Sequence, residues 1–448
     1  MKFTTFLVFL LTFVAAVSGQ SKNNPDPEIT SMIKKVSPKN IEMSIRKLVS
    51  FGTRNTLSEQ DNPTRGIGAA RDWIFNEFQS ISVDCGGCLV VEKQNFLQPK
   101  ANRIPEPTTL TNIVATLRGS TDPGRVYVVS GHYDSMCSSP TDGKCDAPGA
   151  NDDASGTAVV IELARVMSKA KFDATIVFVA VAGEEQGLLG AAYFAEQAKQ
   201  KGMNIEGMFT NDIVGGVTSQ KNSPHRNRVR VFAEGVPTDE NEAEARTRRS
   251  VGGENDSEAR QLGRYVKEQS ARYIKNFQAW PIYRRDRYLR GGDHIPFLER
   301  GFPAVRITEA DEDYTHQHQN VRRENGIFYG DTPEFVDFEY TANVARVNLA
   351  ALASLAKAPA IPKNTGIVTS RLTNDTELKW NANTDHDIAG YEIVWRDTSS
   401  PDWTGSINVG NVTNYVVKSM SKDNYFFGVR AVDKSGNKSP VAYPRPVR

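Results

Sequence analysis

Histidine and cysteine are both scarce in this chain, six and four among 448. So few cysteines exclude a thiolate-rich metal scaffold, because only Cys85-Gly-Gly-Cys88 has the needed pair spacing and no histidine stands at the right distance from it. Neither sign of charge dominates: 54 Lys and Arg face 53 Asp and Glu, a net charge of +1 at pH 7. A nucleic-acid binder normally carries a basic excess, so nucleic acid is not an expected partner. Internal apolar runs are short, none approaching the ~20 residues that span a bilayer. With 39% hydrophobic residues there is ample material for a large core, and 448 residues exceed what one core holds.

The one long apolar tract is N-terminal. Lys2 precedes an apolar-to-small stretch over residues 3–17, then Ser18-Gly19 and the polar Gln20. A basic start, a short apolar region and small residues before a polar stretch predict a secretory signal peptide over residues 1–19 and an extracellular mature chain. Residues 20–39 form an N-terminal segment, for which a removable propeptide is one reading. Export suits the even number of cysteines, which allows two disulfides. Cys85, Cys88, Cys137 and Cys145 permit three connectivities, and the local pairing Cys85–Cys88 with Cys137–Cys145 is the expectation. Sequons at Asn255, Asn374, Asn411 and Asn437 become glycosylation candidates in an exported chain.

From about residue 40 to 357, β-branched runs alternate with helical periodicities. Runs at 126–130, 175–181, 229–232 and 304–307 are strand candidates; Ala70, Ile74, Phe78 and Ile81 keep helical spacing, as do Val159, Leu163 and Val166. The pattern predicts an α/β domain with a doubly wound, mostly parallel sheet flanked by helices. A Pro-rich joint at 358–366 reads as a linker. Beyond it, over 367–448, Leu378-Lys-Trp380, Tyr391-Glu-Ile-Val-Trp395 and the 425–431 segment alternate with period two, which predicts a small all-β sandwich. Residues 237–261, dense in Glu and Arg, read as a solvated insertion, and Arg246-Thr-Arg-Arg249 within them resembles a basic processing site.

Five clusters carry the chemistry. His132 and Asp134 lie in Gly131-His-Tyr-Asp-Ser135, sharing one face of extended chain. Asp152 and Asp153 lie in Gly149-Ala-Asn-Asp-Asp-Ala-Ser-Gly156, and Glu184 and Glu185 in Gly183-Glu-Glu-Gln-Gly187. The others are Asn211-Asp212 and Tyr314-Thr-His-Gln-His318. Each alone has a bland explanation, such as helix capping or a first-turn acid. All five, however, fall at C-terminal strand ends or the loops just after them, the edge where open α/β sheets bind ligands. Carboxylates and imidazoles without thiolates suit zinc, and this many suffice for two ions.

These motifs, in this order and spacing, resemble the co-catalytic zinc aminopeptidases of the superfamily containing bacterial leucyl aminopeptidase, glutamate carboxypeptidase and glutaminyl cyclase. The likeness covers roughly residues 40–355, and the tail resembles a fibronectin type III domain. The resemblance implies an exopeptidase acting on peptide or protein substrates with two zinc ions. It implies that Asp152 bridges them, that Glu185 and His316 complete one site and His132 and Asp212 the other. Glu184 would be the general base, Asp134 the partner of His132, and Asp152–Asp153 a cis peptide. In the run His316-Gln-His318, His318 is the fallback ligand, and Tyr288 is a candidate oxyanion stabiliser. Glutaminyl cyclase chemistry, a carboxypeptidase using Arg284, Arg285, Arg287 and Arg290, and a non-catalytic scaffold are the alternatives. A tail that docks the enzyme on matrix, cell wall or polysaccharide is a further alternative.

Overall fold

Eight strands assemble into one sheet: β1 (Leu89–Gln98), β2 (Thr108–Leu117), β3 (Asp122–His132), β4 (Ala174–Val181), β5 (Asn204–Asn211), β6 (Arg228–Phe232), β7 (Gln278–Ile282) and β8 (Ala304–Glu309), in the order β1-β2-β4-β3-β5-β8-β6-β7. The structure is a computed structural model and describes residues 25–216 and 223–448, so the expected signal peptide lies outside the described residues. The helices are α1 (Pro27–Lys34), α2 (Pro38–Val49), α3 (Gly66–Asp84), α4 (Ala154–Met167), α5 (Leu189–Gln200), α6 (Glu242–Val251), α7 (Glu258–Tyr273), α8 (Ile295–Leu298) and α9 (Phe338–Lys357). Residues of β4 alternate between two cores: Ile176, Phe178 and Ala180 face the layer of α2, α3, α4 and α9, while Val177, Val179 and Val181 face α5 and α8. Both faces of the centre are therefore covered.

The sheet is mixed rather than mostly parallel. β4, β3, β5 and β8 run parallel, as do β6 and β7, but β1–β2, β2–β4 and β6–β8 pair antiparallel. Residues 99–107, which join β1 to β2, are too few for the crossover a parallel pair requires.

The N-terminal segment is part of the core. Ile29, Met32, Ile33 and Val36 are buried in the same cluster as α9. Glu162 accepts from the backbone of Ser37 at 2.7 Å, and Arg165 donates to Lys35 O at 2.7 Å.

Residues 367–448 fold as two packed sheets. Strands 366–368, 376–379, 414–417 and 445–447 form one; strands 388–397, 405–410 and 425–433 form the other. Leu378, Trp380, Tyr391, Ile393, Phe427 and Val429 fill the space between. This sandwich is docked on α7. Asp256 sits between Arg264 at 2.9 Å and Arg396 at 2.7 Å, all three buried, and Trp403 donates to Gln261 at 3.2 Å. The insertion at 237–261 is also ordered: α6 carries a capping box, and the chain just after it, Gly252 and Gly253, lies against Phe426 and Tyr443 of the sandwich. Its charges hid that role, because its partners come from the other domain.

Disulfides join Cys85 to Cys88 and Cys137 to Cys145. Asn255, Asn374 and Asn411 are exposed, but Asn437 is buried and its amide donates to Asp433 at 2.8 Å. A glycan on Asn437 would need this buried side chain to turn outward, which the three exposed sequons do not require.

Candidate metal centre

The parallel registers gather the motifs. His132 pairs with Val181, so the end of β3 lies beside the turn carrying Glu184 and Glu185; Ser130 pairs with Thr210, which puts Asp212 one strand further along. The N-terminus of α4 fits between them because two positions lack a side chain. A Cβ on Gly131 would meet Gly156 backbone at 2.5 Å, and one on Gly156 would meet Asn211 O at 2.2 Å. Asp153 caps this helix, accepting from Gly156 N at 2.9 Å and from His132 N at 3.0 Å. The Asp152–Asp153 peptide is cis.

Asp152 occupies the centre. Its Oδ1 is 3.1 Å from His132 Nε2 and its Oδ2 is 2.8 Å from His318 Nε2. On the first side, Asp212 Oδ1 lies 3.9 Å from the same imidazole nitrogen; on the second, Glu185 Oε1 lies 3.1 Å from His318. Two groups able to hold an ion result, His132–Asp152–Asp212 and Asp152–Glu185–His318, each with its ligand atoms within 4.8 Å of one another. They share Asp152. A third, Cys137–Asp142–Cys145, has both thiols committed to a disulfide.

The fit to a cation rests on the donors. His132 Nε2 is buried and, although close to Asp152, makes no aligned hydrogen bond. Such an orphaned nitrogen between carboxylate oxygens is what a tetrahedral N/O site for zinc requires. Against the cost of burial, His318 and His132 hold the Asp152 carboxyl well below the usual range. Against the same cost, Glu185 and Asp152 push His318 up to about 11. Burial raises Glu184 well above the ordinary value, opposed by His132 and reinforced by Asp212.

His316 does not join the cluster. Its ring stacks on Phe335, centroids 3.6 Å apart, with Asp313 at 3.8 Å, and the fallback His318 takes its place. Asp134 meets His132 Nδ1 through its backbone oxygen at 3.1 Å, with its carboxylate at 3.6 Å. That carboxylate also accepts from the backbones of Glu184 at 3.2 Å and Glu185 at 3.1 Å, fixing the turn between them. Tyr288 is exposed, its ring 4.0 Å beneath Arg284 rather than inside the cluster.

Supporting residues went unread in the sequence. The buried Arg54 donates to Tyr133 O at 2.7 Å, Pro148 O at 2.5 Å and Gly149 O at 2.9 Å, tying the His132 and Asp152 loops together. Asp331 accepts from the backbones of Asn151 at 2.9 Å and Asp152 at 2.7 Å. Arg306 lies 2.9 Å from Asp212, and as the one charge inside the apolar run 304–307 it left a visible signal.

Residues 112–325 match Peptidase family M28. A protein described as a probable zinc metalloprotease from Leptosphaeria maculans is 50% identical over 96% of this chain and 99% of its own length. A second, from Pyrenophora tritici-repentis, is 50% identical over 94% of this chain and 88% of its own. In fold, the chain is similar to the aminopeptidase LapA of Legionella pneumophila, with a TM-score of 0.51 and 19% identity over 74% of this chain and 75% of that one.

Proposed function

The chain belongs to peptidase family M28 and is a zinc metallopeptidase, and from that premise we propose that it is a secreted aminopeptidase with a two-zinc site. The observation that carries the two-ion reading is Asp152, whose two oxygens face two separate ligand groups. His132 and Asp212 would complete one site, Glu185 and His318 the other. When bound, zinc supplies a Lewis acid and brings the pKa of water near neutrality.

The chain's own groups do the rest. Glu184, next to a ligand and held by the Asp134 turn, takes a proton from the attacking water and returns it to the leaving amine. Asp134 keeps the Glu184–Glu185 turn and the His132 ring in place. Asp293 is buried near Asp212, and neither of its oxygens has a hydrogen-bond partner. Those unpartnered oxygens would accept a hydrogen bond from a substrate's free α-ammonium, which a blocked substrate lacks.

Export is supported by the apolar N-terminal tract and the two disulfides. The two-sheet packing of 367–448 around Trp380 and Tyr391 supports a fibronectin type III-like tail.

Hydrolysis of leucyl-p-nitroanilide and its N-acetylated form by the zinc-loaded chain, with Glu184→Ala as control, tests the reading. Cleavage of the free-amine substrate alone, with two zinc equivalents, supports it. Cleavage of the acetylated form, or one equivalent at saturation, overturns it.

A further inference from the structure

Two recesses meet at Arg290. One, of about 460 Å3, is lined by Arg290, Tyr314, Gln317 and His318, so it opens on the imidazole that faces Asp152 and Glu185. The other, of about 440 Å3, runs along 284–290 and is lined by Arg284, Arg285, Arg287 and Arg290 against a single carboxylate, the buried Asp286.

These charges do not cancel. Arg230, Arg287 and Arg290 converge on Glu312 at 2.7, 3.0 and 2.7 Å, three cations on one buried carboxylate. Asp286 is taken up by Arg287 at 3.0 Å and faces Arg306 at 3.7 Å, and Arg285 pairs with Glu299 at 3.1 Å. Among the described residues Arg284 has no carboxylate in ion-pair range; its guanidinium covers Tyr288 and donates to its hydroxyl at 3.1 Å. Positive charge is thus left over at the lip, where Arg290 keeps 33% of its side chain exposed.

The same lip displays apolar surface. Tyr288 is 80% exposed and Leu289 fully so, the latter at φ 54°, a left-handed conformation that leucine rarely adopts. Leu289 and the face of Tyr288 not covered by Arg284 bury almost nothing within the fold, so that area remains free for a bound molecule. Guanidinium groups present a planar fork that matches a carboxylate.

We propose that this rim is an anion-receiving subsite of the cleft. It selects peptides with a carboxylate within a residue or two of the scissile bond, and Arg290 and Arg284 are the contacts. The inference rests on the aminopeptidase reading of the metal centre and adds the substrate class to it.

The test uses the zinc-loaded chain and peptide pairs differing only in charge, Glu against Gln at each of the first three positions, and a free against an amidated C-terminus. The acidic member of at least one pair should have the higher kcat/KM by about fivefold, chiefly through KM, and lose the advantage as salt rises. Arg284→Gln and Arg290→Gln should each shrink that ratio and Arg290→Glu invert it, whereas Arg371→Gln, exposed on the sandwich, leaves it alone. Calorimetric binding of the same peptides to Glu184→Ala gives the ratio without turnover. Equal binding within every pair, or a ratio that survives both substitutions, overturns the subsite. Acidic preference on N-blocked peptides trimmed from the other end keeps the subsite and overturns the aminopeptidase reading.

Discussion

His318 Nε2 stands 2.8 Å from Asp152 Oδ2, while His316, two residues earlier, stacks on Phe335 with centroids 3.6 Å apart. Two histidines of one short run thus have opposite roles, one turned to the carboxylates and one to an aromatic ring. His318→Ala should remove about one zinc equivalent and most of the activity. His316→Ala should retain both equivalents and lose only packing. Metal content by mass spectrometry of the purified variants decides, and the reverse pattern would restore His316 as the ligand.

Arg54 is expected to behave as a positioning residue. A lysine there keeps the charge but replaces a five-donor fork with one ammonium, so some of the Tyr133, Pro148 and Gly149 carbonyls lose their donor. We expect Arg54→Lys to weaken zinc binding about 10- to 100-fold, the scale seen when groups orienting metal ligands are removed. Competition with a chelator on the folded variant measures it. Unchanged affinity with a lowered Tm would mean that Arg54 supports the fold alone.

The N-terminal helices bear on the propeptide question. Ile29 is fully buried, and Met32 nearly so, in the main core. Ile29→Ala should cost about 2–5 kcal/mol of stability, as other buried large-to-small changes do. A chain beginning at residue 40 should fail to fold. Chemical denaturation checks the first, and N-terminal sequencing of the active enzyme checks the second; an active form starting beyond residue 39 would sink both.

His294 gives a pH dependence with a defined sign. Burial, against the attraction of Asp286, lowers its pKa from 6.5 to about 4, while its Nε2 donates to Arg285 O at 2.9 Å. Between those values the unfolded chain takes up a proton that the folded chain refuses. The stability it contributes is therefore complete above pH 6.5 and falls away as pH drops towards 4, by about 3 kcal/mol in all. His294→Gln keeps the donor and removes the titration, so its unfolding free energy should change less steeply over that window. Urea titrations across the range make the comparison, and parallel slopes would refute it.

The strand-end positions of His132, Glu184, Glu185 and Asp212 were legible because strand periodicity and the residue after each strand are local features. The choice between His316 and His318 was not, since it depends on Phe335, which reaches the site from another part of the chain. Arg54 was invisible for a related reason: its partners are main-chain carbonyls, which every residue possesses. The mixed sheet could have been read from the short β1–β2 connection, but apolar runs alone carry no direction. The insertion at 237–261 looked like solvated chain because its packing surface belongs to the sandwich.

The joint at 358–366 is not a swivel. Ala360 donates to Asp385 at 3.2 Å and accepts from Asn383 at 2.7 Å, while Asp256 holds Arg264 and Arg396 together across the boundary. The mouth of the cleft therefore keeps one bearing with respect to the outer faces of the sandwich, as a blade does to its handle. Any surface on which the sandwich rested would meet the cleft at a set angle and height. Reach would then be governed by the tumbling of the whole particle rather than by the sweep of a tethered head.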